Sequence, residues 1–201
     1  MMAKNKKLLM LATAAMVSVA VAVPGTFALA ALTANIPVTA SFVTALSIVK
    51  TVDMSFGNWD YGHSPIAGDE IALGTNDSAV PSANFVLNGA PGVQAAGQAA
   101  VTGVATFPVE IRCDTDATLT EAGGGLIKVT GIKVTNGAGA AYPAGSACAI
   151  ATPVVFNLVA GAMTLKFGGK LDGSTAVGFV AGAYSTANTG GNNIEVNVVY
   201  Q

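Results

Sequence analysis

The chain has 201 residues, a formal net charge of −2, and only 10% charged residues against 52% hydrophobic ones. Its nine basic and eleven acidic residues form no basic stripe that could neutralise phosphates, which excludes nucleic acid as a partner. Two cysteines and a single histidine leave too few soft ligands for a metal or redox centre.

The first thirty residues carry the pattern of an export signal. Lys4, Lys6 and Lys7 form a charged start, residues 8–23 an apolar run, and Ala28-Leu29-Ala30 a small-x-small cleavage site. A retained membrane helix is the competing reading, because the run approaches the roughly 20 residues that cross a bilayer. Pro24 and Gly25 break such a helix just before the small residues. The sequence therefore predicts a cleaved signal peptide over 1–30, a single domain over 31–201, and no integral membrane segment after processing. Cleavage removes Lys4, Lys6 and Lys7 from the nine basic residues and none of the eleven acidic ones, leaving 171 residues with a net charge of −5. Surfaces made of small neutral side chains suit close lateral packing.

From the new N-terminus, Leu32, Ala34, Ile36, Val38, Ala40 and Phe42 alternate with Thr33, Asn35, Pro37, Thr39 and Ser41, the period of a half-buried strand. Pro37 has no N–H, so this strand belongs at an edge or pairs on one side only. Two pairings remain open. It completes its own sheet, or it is donated to a neighbour. The alternation runs on through Leu46, Ile48 and Lys50 into 53–57, where Gly57 ends it. Residues 58–68 read as a loop that holds the only Trp, the only His and one of four Tyr. Short strands are predicted at 70–73 and 84–87, with turns at 74–81 and 88–98, and a longer strand at 101–112. Further strands are expected at 126–130, 132–135, 149–158 and 163–171. Asp172-Gly173 reads as a turn into 177–180.

The last eight residues place Ile194, Val196, Val198 and Tyr200 on one face and Glu195, Asn197 and Gln201 on the other. A terminus this apolar needs a partner strand. Nine or ten short strands with turn signals every 8 to 12 residues, by rough count, describe an all-β, Ig-like antiparallel β-sandwich. An outer-membrane barrel is disfavoured because the aromatic residues are scattered singly and form no girdles. Cys113 and Cys148 are an even pair in an exported chain, so a disulfide is expected. It would close a loop of some 35 residues, stabilising the fold by about 3 to 4 kcal/mol in the chain-entropy model.

Two resemblances follow from particular stretches. Residues 47–57 (SIVKTVDMSFG), Phe167-Gly168-Gly169-Lys170-Leu171, Gly182-Ala183-Tyr184 and Val196-Asn197-Val198-Val199-Tyr200 resemble a family of exported bacterial proteins known only as a domain of unknown function. Separately, the ending Val198-Val199-Tyr200-Gln201 is similar to the ends of chaperone–usher pilus subunits, where a penultimate tyrosine ends the last strand. That similarity implies sheet completion by a neighbour's N-terminal extension, with Leu32, Ala34, Ile36, Val38, Ala40 and Phe42 as the donor positions. It also implies self-association or association with other fibre subunits, a periplasmic chaperone as a partner, and a place on the cell surface or outside the cell.

No reaction is expected. A serine triad would need His63 as its base, and no Gly-x-Ser-x-Gly elbow is present. Asp114, Thr115, Asp116, Thr118 and Glu121 offer alternating oxygens for calcium but lack the glycine and distal glutamate spacing of an EF-hand. No motif requires a cofactor. In the loop at 58–68, Trp59 and Tyr61 offer flat faces beside polar Asn58 and Asp60, a combination that suits glycan contact. The sequence thus predicts a structural subunit of a bacterial surface fibre or pilus-like assembly. The alternative is a cell-surface carbohydrate-binding or adhesive domain.

Overall fold

Fifteen strands run through residues 45–62, 64–87 and 94–201, the residues described in this computed structural model; all lie within one compact unit, Phe42–Gln201. In chain order they are β1 (Ser47–Val52), β2 (Ser55–Phe56), β3 (Trp59–Tyr61), β4 (Glu70–Leu73), β5 (Ala79–Pro81), β6 (Phe85–Leu87), β7 (Gln94–Ala95), β8 (Gly97–Thr102), β9 (Pro108–Cys113), β10 (Asp116–Thr120), β11 (Leu126–Asn136), β12 (Ser146–Ala147), β13 (Val154–Asn157), β14 (Ala162–Val177) and β15 (Val196–Tyr200). Every ladder is antiparallel.

The architecture is the expected all-β sandwich, with one sheet curled into a half-barrel. That main sheet has the order β1-β8-β14-β11-β10. Strands β4 and β5 extend it beside the second half of β14, and β12 beside the end of β11. The opposing layer is three strands, β13-β9-β15. Strands β2 with β7, and β3 with β6, form two short ribbons.

Period-two alternation explains which faces meet. Strand β9 turns Val109, Ile111 and Cys113 inward, while β8 turns Ala99 and Val101, β11 turns Val129, Ile132 and Val134, and β14 turns Met163, Leu165 and Phe167. These side chains pack as one core between the layers. Cys113 on β9 bonds to Cys148, whose N–H donates to the Ile132 carbonyl at 3.1 Å, so the expected disulfide joins the two sheets. The final strand is paired as its composition requires, Val198 opposite Ile111 and Tyr200 opposite Val109. The Tyr200 hydroxyl accepts the Val104 N–H at 2.7 Å, and its ring meets Phe107 edge-on.

Several elements differ from the sequence expectation, each for a local reason. The strand expected at 101–112 is two strands, because residues 103–107 reverse the chain with Thr106 at φ 67°. Val104 and Phe107 are turn residues. Strands expected at 126–130 and 132–135 are one, β11, in which a bulge at Gly131, φ 61°, shifts the inward phase from Val129 to Ile132. Asp172-Gly173 makes no turn; it lies inside the 16-residue β14. A Cβ at Gly173 would fall 2.6 Å from the Asp69 carbonyl oxygen and 2.8 Å from that of Ile66, so this glycine serves a close backbone approach. Residues 59–61, read as loop, form β3 against β6, and β5 lies within the segment read as turns. Strand β10 was not expected, and of 149–158 only Val154–Asn157 is strand. The alternating segment Leu32 to Phe42 and the export signal lie outside the described residues, as do His63 and residues 88–93.

Candidate functional site

A cleft of about 810 Å³ lies between the edge strand of the main sheet and the last strand of the small one. Strand β1 pairs only with β8, and β15 only with β9, among the described residues. Each therefore presents one row of backbone N–H and C=O groups to the gap. The two rims run antiparallel. Leu46, ahead of β1, and Tyr200, at the end of β15, both lie against Gly103 at one end. At the other, Val52, Met54 and Phe56 face Ile194 and Val196.

Inward positions on the rims are incompletely covered. Ile48 is 36% exposed and Val196, Val198 and Tyr200 are half-buried, whereas Val109 and Ile111 on the adjoining β9 are fully buried. The cleft reaches the core itself, where Ala99, Ala117, Leu119, Val129 and Phe167 line its depth. Among the described residues its charged lining is Lys50 and Asp53, paired with each other at 2.6 Å. Residues Tyr184, Ser185, Thr186 and Ala187 wall one side. They are held there because Ser185 and Thr120 exchange backbone hydrogen bonds, and because the Thr118 and Asn192 backbones bridge. This stretch covers the free edge of β10. Among the described residues, an edge without a partner strand thus remains on each side of the cleft.

Trp59 and Tyr61 share one face of β3, but their polar ends turn inward. The Trp59 indole N–H donates to the Phe56 carbonyl at 2.6 Å. The Tyr61 hydroxyl donates to Asp69, whose carboxylate also accepts the Ile66 N–H at 3.1 Å and the Asn84 amide at 2.6 Å. Asp69 is buried. It organises an aromatic row in which Tyr61 packs against Phe85 at 4.4 Å and edge-on to Phe179, and Phe179 stacks on Tyr184 at 5.0 Å. Sequence reasoning found Tyr61 but not Asp69, Phe85 or Phe179, which come from three separate segments and give no local signal.

The Tyr61 phenol is pushed up to about 12, by burial first and then by the hydrogen bond to Asp69 and its negative charge. Folding therefore holds this proton more tightly than the unfolded chain does. The corresponding stability is intact below the ordinary tyrosine value of about 10 and is lost as pH rises from there through the folded value. The expected result is a stability decline across that alkaline window that is shallower in Tyr61→Phe, measured by urea unfolding at stepped pH; equal slopes would contradict it. Tyr142, also raised by burial, keeps part of the decline in both chains.

Three carboxylates weighed for calcium make contacts within the fold. Asp114 accepts the Glu195 N–H at 2.9 Å, Asp116 lies 3.6 Å from the Lys128 ammonium, and Glu121 accepts the Gly123 N–H. Among the described residues no three His, Cys, Asp or Glu side chains are grouped to hold a metal ion. No helix among them is long and apolar enough to cross a membrane. Comparison with protein families, with curated proteins and with solved structures finds no match for the chain.

Proposed function

We propose that the chain is an exported structural subunit of a bacterial surface fibre or pilus-like assembly, polymerising by β-strand addition and carrying out no reaction. The donated strand is the alternating segment with Leu32, Ala34, Ile36, Val38, Ala40 and Phe42 on its inward side. One observation carries this reading: the antiparallel rims β1 and β15 each have a backbone edge unpaired among the described residues, and they flank a cleft of mixed lining that opens on the core. Added strands gain affinity from main-chain hydrogen bonds and specificity from alternate side chains entering such a cleft. The inter-sheet disulfide fits an oxidising compartment, and the signal-like first thirty residues fit export. A place at the cell surface, and the likeness of the closing Val-Val-Tyr-Gln to pilus subunits, belong to the same proposal.

Deletion of residues 31–42 tests it. Loss of multimers by electron microscopy, with the disulfide-bonded domain still folded, is the expected result. Multimers that persist after the deletion remove strand donation.

A further inference from the structure

Strand β10 ends the main sheet on the side away from β1, and its outer edge is occupied by a segment that is not a strand. The Thr120 N–H donates to the Ser185 carbonyl at 3.1 Å and the Ser185 N–H donates back at 3.0 Å, while the Asn192 N–H donates to the Thr118 carbonyl at 3.0 Å. The Thr118 N–H donates to the Asn192 side-chain oxygen at 2.6 Å, and the Asn188 amide donates to the Thr120 carbonyl at 2.6 Å. Every edge-facing backbone group of Thr118 and Thr120 is taken.

A regular antiparallel partner would meet Thr118 and Thr120 with residues two positions apart. The observed partners, Asn192 and Ser185, are 192 − 185 = 7 positions apart, so 7 − 2 = 5 extra residues loop out between them. Inside that loop the Asn188 N–H turns back to the Ser185 carbonyl and the Gly191 N–H to the Asn188 carbonyl, with Gly190 at φ 83°. The segment covers β10 without presenting a continuous row of N–H and C=O groups of its own, and sheet growth stops there.

We infer that residues 185–192 are an autoinhibitory strap, occupying the edge through which two copies of this chain would otherwise join their main sheets, β10 against β10. Guarding β10 is independent of the strand-addition reading, which concerns β1 and β15. Two observations carry it. The first is that the bare edge is self-complementary. Two β10 strands related by a two-fold axis at Thr118 pair antiparallel, with Thr118 opposite its own counterpart and Asp116 opposite Thr120. Threonine pairs are favourable across strands, and no two like charges face each other in this register. Ala117 and Leu119 fall on the inner face and Asp116, Thr118 and Thr120 on the outer one, so the joined sheet keeps one apolar side.

The second is how the strap is held. None of residues 178–195 is buried, and hydrogen bonds with the stack of Tyr184 on Phe179 hold the strap in place of core packing. Segments with few buried contacts open at the low end of the local stability range. The strap can lift while the sandwich stays folded.

The test uses the full chain with Thr118→Cys as a reporter. The two native cysteines are bonded to each other, so the introduced thiol is the one that reacts. Thr118 lies on the face opposite to Ala117 and Leu119, which line the cleft, so a link between two copies reports β10 and not the cleft. A short bismaleimide is added to this chain and to the same chain carrying Ser185→Pro and Asn192→Pro, which remove both main-chain donors of the strap and the Asn192 acceptor. The double-proline chain is expected to give about tenfold more linked dimer or better, since each lost hydrogen bond of ordinary net strength changes the open population by a factor of about five. Equal linking with the strap intact overturns the guarding role. No link in the double-proline chain, while hydrogen exchange shows the amides at 118 and 120 open, overturns the pairing of β10 edges. Slow exchange of those amides without linking shows that other contacts hold the strap, and overturns the inference as well. Should the double-proline chain not fold, Asn188→Ala with Asn192→Ala, which removes the side-chain clamps and keeps every backbone donor, decides in its place by the same readings.

Discussion

The Cys113→Ala/Cys148→Ala chain is expected to lose about 2 to 5 kcal/mol of stability, the usual consequence of removing a native disulfide from a small domain. The bond spans 35 positions of sequence and encloses β10, β11 and β12. Without it the unfolded chain regains the freedom of that whole loop, and the native state loses its covalent tie between the small sheet at Cys113 and the main sheet at Ile132. Both sulfurs sit in nearly closed surroundings, Cys113 at 1% and Cys148 at 3% exposure, so solvent does not replace the lost contacts. Urea unfolding should show a lower midpoint, with a steeper dependence because the reduced-constraint unfolded state exposes more surface. A loss under about 1 kcal/mol would mean that packing alone holds the layers together.

Ile111→Ala is the second large effect, expected at about 4 kcal/mol within the range for buried Ile-to-Ala changes. Ile111 is fully buried at the centre of β9, with Val154 of β13 and Val198 of β15 opposite it on the two flanking ladders. All three strands of the small sheet converge on this position, and none can move inward without breaking its ladder, so the cavity stays open. The matched comparison is Ile48→Ala on the cleft rim, expected to cost about 1 kcal/mol or less because the side chain is only partly withdrawn from water. Equal losses in the two variants, measured by the same unfolding curves, would contradict the account of β1 as an open rim.

Alternation made the sandwich legible because each inward residue of β9 and β15 repeats at a spacing of two, and nothing in those stretches interrupts it. The disulfide was legible from the number of cysteines. What stayed hidden was phase. The bulge at Gly131 preserves one strand where the pattern slips, and Gly173 is small for the sake of the Asp69 and Ile66 carbonyls that pass over it. Neither cause lies near the glycine in sequence. The same holds for the candidate site. Its rims were visible as alternating termini, but its lining also takes small residues, Gly97 and Ala99 from β8 and Ala117 from β10, two strands of one sheet with β14 and β11 between them, and small residues carry no local signal in a chain full of them.

In the fibre proposed above, tension would fall on each subunit, and the cross-link between layers would limit how far it can be drawn out. Pulled from its ends, the chain can pay out only the residues before Cys113 and after Cys148. The 35 peptide spacings between them, about 120 Å when fully extended, stay locked as a knot of β10, β11 and β12. The sandwich therefore lengthens as a short, stiff tether whose slack is set by a single covalent bond.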